Sequence, residues 1–395
     1  MGIETVTRYH IPTEVIFGLG SLRLLGGEAR KLGIRKALWV TDPGPKSAGV
    51  LEQGFASLSE AGVEVVTFDQ VPPDPTTQVV TQAALLARER GCDGVIASGG
   101  GSGLGAGKAT ALLASASSND IRDFVGKQVL PHSPLPCIAI PTTAGSGAEV
   151  SRFATAITDE RTRTKLGILF FSARTAFLDP LVLKTVPISQ AVSSGVDAWC
   201  HAIEALCATR STPLTDAIAL RAITIISENL PSSILGDDID AKAQMLLASS
   251  MANMACGNAG LGLSHAINSP LTSFYLKHGY PYVSYGDLHA IFLPIELEYN
   301  LPDCEAKLAS MARAIGLGEK GESAGPLARR AVDRVKEVLV AIGAPRRLPW
   351  ESVPDEQLTE LARGVPPMTG GNFANPRAPT EGELVALFKE AIQGW

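Results

Sequence analysis

An α/β half followed by an all-helical half is the fold class the sequence predicts, and three observations predict it. Over the first ~185 residues, short apolar runs alternate with amphipathic stretches, as a parallel sheet covered by helices requires. One of those runs leads straight into a glycine-rich loop, Gly99-Gly100-Gly101-Ser102, and then into an apolar helix. From about residue 186 the texture changes to long Ala/Leu/Ile-rich segments with helical periodicity and no convincing strand. In chain order, Ala37–Thr41, Val63–Phe68, Gly94–Ser98 and Cys137–Pro141 read as strands, with a helix over Thr77–Arg90 between the second and third. The helices of the second half are expected at Ile188–Leu206, Pro213–Asn229, Ala241–Asn258, Leu288–Asn300, Cys304–Ile315, Ala324–Ile342 and Glu381–Ile392. Two domains follow, 1–185 and 186–395, expected to pack closely with a cleft between them because no repeat or low-complexity linker separates them.

Composition narrows the partners. The chain of 395 residues is 45% hydrophobic and 19% charged, enough to bury a substantial core. Its formal charge of −6 is spread without basic runs, so neither nucleic acid nor an anionic membrane is recommended, and small molecules are the expected ligands. Residues Met1–Arg8 lack an apolar signal core, and no stretch approaches the ~20 apolar residues of a membrane span; a cytoplasmic location is expected. Six cysteines without CxxC spacing are expected as buried thiols rather than disulfides or metal ligands.

Asp197 and His201 stand in Gly-Val-Asp-Ala-Trp-Cys-His-Ala-Ile-Glu-Ala, and His265 and His278 follow in Gly-Leu-Ser-His and Lys-His-Gly. An Asp and a His four apart on a helix project from one face, so they can chelate one divalent metal while two later imidazoles close the shell. The chain has only six His, which makes their gathering here informative.

Side-chain-free Gly99, Gly100 and Gly101 let backbone N–H groups approach a pyrophosphate, and the following helix N-terminus adds its partial positive charge. The loop lacks the GxGxxG spacing, and a tight strand-to-helix turn is the alternative reading. Asp42 ends an earlier strand, where a carboxylate accepts hydrogen bonds from an adenine-ribose and repels a 2′-phosphate, favouring NAD over NADP; an ordinary N-cap reads equally well. A second loop, Pro141-Thr142-Thr143-Ala-Gly-Ser146-Gly-Ala-Glu149-Val150, offers hydroxyls and backbone donors, and Thr158-Asp159 and Lys165 lie farther on.

The order of these motifs resembles the iron-dependent (group III) alcohol dehydrogenases. The likeness runs from Phe17-Gly-Leu-Gly-Ser21 through Gly99–Ser102, Pro141–Val150, Asp179-Pro180 and Asp197–Glu204 to Asn375-Pro-Arg377, essentially the whole chain. It implies a Rossmann-like nucleotide-binding domain and a helical metal-binding domain of the dehydroquinate synthase-like kind, with hydride transfer in the cleft between them. It places Asp197, His201 and His265 on the first three ligand positions, Thr142, Thr143, Ser146 and Lys165 with the glycine loop around the cofactor, and Phe153 and Leu261 on an apolar wall for a small alcohol or aldehyde. A homodimer or larger homo-oligomer is expected. Iron is the family's implication, although Zn²⁺ binds such a donor set more tightly.

Three departures stand out. Gly105 replaces the Asp that usually follows the glycine loop, and Ser269 replaces a His one turn beyond His265. Tyr285-Gly286 occupies the place of the His-Gly that supplies the fourth ligand. His278-Gly279 lies seven residues earlier, inside an apparent insertion from Leu276 to Ser284, so the insertion is expected to fold back and present His278, with His289 as the fallback because helical side chains lean N-terminally. Tyr280, Tyr282 and Tyr285 are expected to bring rings near the metal, and Arg152 to meet an acidic substrate only if it turns inward. A metal-free reductase like maleylacetate reductase is the main alternative, and a lyase resembling dehydroquinate synthase is disfavoured by the scarcity of Lys and Arg near Asp197 and His265.

Overall fold

The structure, a computed structural model, describes residues 6–126, 130, 132–154, 157–169, 172–319 and 321–395. Contacts divide the chain into two compact units: Ile11–Pro187 with Asp238–Ser250, and the segment ending at His10 with Ile188–Asp237 and Met251–Trp395. The contact boundary between Pro187 and Ile188 lies near the change of texture, and the exchanged segments carry no compositional signal.

The first unit is built on a six-stranded sheet. Strands β1 (Glu14–Phe17), β2 (Lys36–Val40), β3 (Glu64–Phe68), β4 (Gly94–Gly99) and β5 (Cys137–Pro141) are joined, after four two-residue strands β6 (Phe153–Ala154), β7 (Thr158–Asp159), β8 (Thr164–Lys165) and β9 (Ile168–Leu169), by β10 (Thr175–Leu178). The order is β1-β10-β5-β4-β2-β3, with every pairing in this sheet parallel. β4 and β5 are buried along their whole length, which explains their continuous apolar runs. The strands β1, at the sheet edge, and β10, beside it, escape the sequence reading because each has only four residues. Helices α1 (Leu25–Lys31), α2 (Pro43–Ser47), α3 (Glu52–Glu60), α4 (Thr77–Glu89) and α5 (Gly101–Ala114) provide the cover. The chain reverses direction across the sheet between β2 and β4, so their carboxyl ends open a crevice of the kind that binds nucleotides in doubly wound sheets.

The second unit contains α6 (Ile188–Cys207), α7 (Pro213–Leu235), α9 (Leu263–His278), α10 (Tyr285–Ala314), α11 (Ala324–Ala341), α12 (Asp355–Gly364), α13 (Glu381–Gln393) and the latter part of α8 (Ile239–Ala259). The earlier part of α8 belongs to the first unit through Leu246, in the core around Trp39, and Ser250, whose hydroxyl donates to Glu149 Oε1 at 2.5 Å. The helices expected at Leu288–Asn300 and Cys304–Ile315 are two helical stretches of α10 that meet at a non-helical kink at Cys304 (φ −130°). One expectation changes here. The half expected to lack strands carries a small hairpin, β11 (Thr369–Gly370) with β12 (Phe373–Ala374), too short to show any periodicity. The six cysteines are free thiols, five of them buried. No helix among the described residues is long and apolar enough to cross a membrane.

Candidate functional site

At the carboxyl ends of β2, β4 and β5 the residues expected to hold a cofactor gather. Gly99 has φ +133°, open to glycine, and a Cβ there would stand 2.6 Å from Asp42 Oδ2. A Cβ on Gly100 would meet Thr143 Oγ1 at 3.2 Å, and one on Gly101 would meet Ser146 Cβ at 3.3 Å. Thr142 N donates to Gly99 O at 2.9 Å. The two loops therefore form a cradle of backbone and hydroxyls at the start of α5, whose N-cap Gly100 supplies no side-chain cap. Asp42 caps α2, its Oδ1 accepting from Gly44 N at 3.2 Å, while Oδ2 faces the glycine loop. Burial raises its carboxyl pKa, against the Gly44 hydrogen bond. Lys165 is tied to the same place through an ion pair with Asp74, whose N–H donates to Ser102 Oγ at 3.3 Å. Asp74 carries no sequence signal for this role.

Beneath the second loop lies a residue the sequence reading missed. Lys108, fully enclosed, donates from Nζ to the carbonyls of Ala148 and Ser151, each at 2.8 Å. Burial pushes its pKa down to about 8.

In the second unit, α6 presents Asp197 and His201 from one face, His201 Nδ1 lying 3.4 Å from Asp197 Oδ1. His265, in the first turn of α9, brings Nε2 to 3.1 Å from His201 Nε2 and 3.7 Å from Asp197 Oδ1. The fourth donor is His289, one turn into α10 and fully buried, with Nε2 3.4 Å from Asp197 Oδ1. Its position follows from how α10 starts: Ser284 caps the helix, and Gly286 lies so close to α6 that a Cβ would fall 2.0 Å from Ser193 O.

His278, expected as the fourth donor, is elsewhere. The insertion does not fold back; α9 continues through His278 and stops at Gly279 in the left-handed conformation (φ 76°). His278 Nε2 faces Glu360 Oε2 at 3.3 Å and its ring packs on Phe274 at 4.6 Å. Of the three tyrosines, Tyr285 alone has ring contacts with the cluster, edge-on to His289 (5.0 Å) and His265 (6.2 Å). Tyr280 instead packs on Phe274 and Trp350, and Tyr282 on Tyr275. Leu261 is half-buried, held by Asn372 O and Ala374 N just before α9. The Phe153 side chain lies outside the described residues, and Arg152 is exposed.

A set of buried polar groups supports the cluster. Glu204, three residues past His201, accepts from His265 N at 3.1 Å and holds His265 Nδ1 at 2.5 Å. Glu296 accepts from Leu263 N (3.3 Å) and Ser264 N (2.8 Å), Asn375 Oδ1 also accepts from Leu263 N, and Asn300 bonds to both Asn375 and Glu296. Burial would raise the Asp197 carboxyl, but the imidazoles of His201, His265 and His289 outweigh it and hold it well below the usual carboxylate range. Against the burial of its own ring, Glu204 and Asp197 lift His265 to about 9. Burial, then repulsion from His265, lowers His289 to about 3. Burial also lowers His201, opposed by Asp197. An ionised Asp197 and neutral His201 and His289 are the states a cation requires, while His265, held by two carboxylates, gives up a proton when a cation takes its place among them.

The donors fit a divalent metal on a structural criterion too. Asp197 Oδ1 and His201 Nδ1 are buried without a hydrogen-bond partner, and donor atoms of Asp197, His201 and His265 lie within 4.8 Å of one another. Buried polar atoms left unpaired are costly, and a cation among them satisfies them together.

The α/β unit thus carries a glycine-rich cradle at its strand ends, and the helical unit an Asp/His cluster whose donors fit a divalent metal. The family model described as iron-containing alcohol dehydrogenase matches residues 12–180, and that of the Fe-containing alcohol dehydrogenase family, C-terminal, matches 191–392. The chain is 31% identical to the NAD-dependent methanol dehydrogenase of Bacillus methanolicus, over 98% of this chain and 100% of that protein. It is 32% identical to the 1,3-propanediol dehydrogenase of Klebsiella pneumoniae, over 97% and 98%. A crystal structure of 1,3-propanediol oxidoreductase superposes with a TM-score of 0.91 at 30% identity, covering 98% of this chain and 100% of that one. The chain belongs to the iron-containing alcohol dehydrogenase family.

Proposed function

We propose that this chain is an NAD-dependent, metal-dependent alcohol dehydrogenase that interconverts a small alcohol and its aldehyde or ketone, with Asp197, His201, His265 and His289 holding Fe²⁺. The observation that carries the reading is the convergence of three imidazoles on the unpaired Asp197 Oδ1. The chemistry supplied by a divalent ion held there is Lewis-acid polarisation of an alcohol or carbonyl oxygen. In the balanced reaction the alcohol carbon gives a hydride to NAD⁺ and its hydroxyl releases a proton.

The chain's own residues prepare both reactants. Glu204 holds the His265 proton at Nδ1, which leaves Nε2 as the donor facing Asp197 and His201. Gly99–Ser102 and the start of α5 receive the pyrophosphate on backbone N–H groups, with Thr142, Thr143 and Ser146 as the facing wall. Lys165 holds Asp74, whose N–H meets Ser102 at the end of the loop. Asp42 Oδ2, turned to the glycine loop, accepts from a ribose hydroxyl and repels a 2′-phosphate. Leu261 and Phe153 give the substrate an apolar wall. With His289 in the fourth place, the metal-free reductase reading loses its motive.

A cytoplasmic homodimer or larger homo-oligomer completes the proposal. The edge strand β1 and the turn after it expose Phe17, Leu19 and Leu24, apolar surface suited to a second copy. A panel of short alcohols and aldehydes, assayed with NAD(H) and NADP(H) and with Fe²⁺, Zn²⁺ or chelator, tests the activity. Asp197→Ala and His201→Ala are expected to abolish turnover while NAD(H) binding persists; near-native turnover in both variants refutes the metal role.

A further inference from the structure

An imidazole that offers one nitrogen to a metal needs its other N–H held, since that second bond fixes ring orientation and tautomer. For His265 the holder is Glu204. For His289 the outer nitrogen is Nδ1, and it lies 3.5 Å from Cys200 Sγ. The same ring's Nε2 is 3.4 Å from Asp197 Oδ1, the buried oxygen without a partner. Asn268 Nδ2, also 3.4 Å from Nε2, is an amide donor and meets a lone pair there. Cys200 is 3.8 Å from His265 Nδ1 as well, but Glu204 occupies that nitrogen at 2.5 Å.

We infer that Cys200 is the positioning residue for His289: its sulfur accepts a hydrogen bond from Nδ1–H, which keeps the proton on Nδ1 and leaves Nε2 as a lone pair turned toward Asp197. The inference rests on the proposed metal site and deepens it. The layout on α6 has a plain logic. Asp197, Cys200, His201 and Glu204 occupy positions i, i+3, i+4 and i+7 of one helix face. Two of them, Asp197 and His201, are inner donors; the other two, one turn apart, each hold the outer nitrogen of an imidazole from another helix. The sequence offers a reason for the second holder. Where the fourth donor comes from position 289 rather than 285, its Nδ1 lands over α6, and a side chain there must take the proton. Sulfur is a weak acceptor, so His289 is the less firmly held of the two rings.

The test compares Cys200→Val, which keeps apolar volume but removes the acceptor, with Cys200→Ser, which retains one. Metal affinity is measured by chelator competition, the Co²⁺-loaded proteins by their visible absorption bands, and the metal-free proteins by thermal midpoint. Cys200→Val is expected to bind Zn²⁺ and Co²⁺ about 10- to 100-fold more weakly, the usual effect of removing an outer partner, with a shifted Co²⁺ band. Cys200→Ser is expected to restore most of both. Wild-type affinity and an unshifted band in a folded Cys200→Val protein overturn the inference. Should that variant not fold, the ¹⁵N shifts of His289 in the Zn²⁺-loaded wild type decide: a protonated Nδ1 supports it, a protonated Nε2 or metal-bound Nδ1 refutes it. A wild-type chain that takes up neither ion refutes the proposed function itself, and the inference with it.

Discussion

Replacing His289 with alanine, beside His278→Ala as control, decides which imidazole completes the cluster. His289 is fully buried with Nε2 3.4 Å from Asp197 Oδ1, whereas His278 pairs with Glu360. Four-donor protein sites hold Zn²⁺ with about 10–16 kcal/mol of apparent free energy, so one donor of four represents roughly 3–4 kcal/mol. At about 1.4 kcal/mol per tenfold, His289→Ala should weaken metal binding by about 10²- to 10³-fold. The assay is metal content per chain after equilibration against graded chelator, with NAD(H) binding as the control for folding. His278→Ala should retain wild-type metal content. Metal loss in His278→Ala together with full retention in His289→Ala would refute the assignment.

The remaining predictions test the supports and the cofactor site. Glu204→Gln preserves shape but removes the charged partner of His265 Nδ1, and metal affinity should fall about 10- to 100-fold in the same competition assay. Asp42→Gly should narrow the preference for NAD over NADP, read as the ratio of kcat/KM values, and should cost only a few tenths of a kcal/mol in stability because glycine is an acceptable N-cap. An enzyme that already prefers NADP contradicts that reading. Lys108, lowered by burial to about 8 from 10.5, is charged at lower pH at a cost to the folded state. That cost, roughly 3 kcal/mol, is complete below the folded value and is relieved as pH rises from about 8 to 10.5. Lys108→Met should therefore flatten the rise in thermal midpoint across that window, and parallel pH profiles would contradict it.

Much of the site was legible because helical spacing is a strong constraint. Asp197 and His201, four apart in an amphipathic stretch, had to share a face. The position of His289 obeys the same rule: 285 and 289 are one turn apart, so a donor missing at Tyr285 can be supplied from the next turn of that helix. Spacing counted along the chain favoured His278 instead, and it failed because α9 runs on to a left-handed Gly279 rather than ending before His278. Glu204 was visible in principle, seven residues from Asp197 on the same face. Glu296, Asn300 and Asn375 come from distant parts of the chain, and only the fold brings them to the first turn of α9. In the α/β unit the buried five- and six-residue strands announced themselves by unbroken apolar runs, while the four-residue strands β1 and β10 and the two-residue hairpins were too short to carry a pattern.

The start of α9 has a consequence for how the protein opens. Its N-cap is Gly262, with no side chain to receive the first amides, so Leu263, Ser264 and His265 give their N–H groups to Glu296 and Glu204 on two other helices. Glu204 meanwhile grips the ring of His265, so the first turn of the helix and the donor imidazole share one fastening. Local unravelling there cannot proceed without releasing both, which makes the three amides a built-in gauge of the centre. Their exchange with deuterium should be slow while the carboxylates hold, and should quicken together, as one cooperative unit, when either carboxylate is removed.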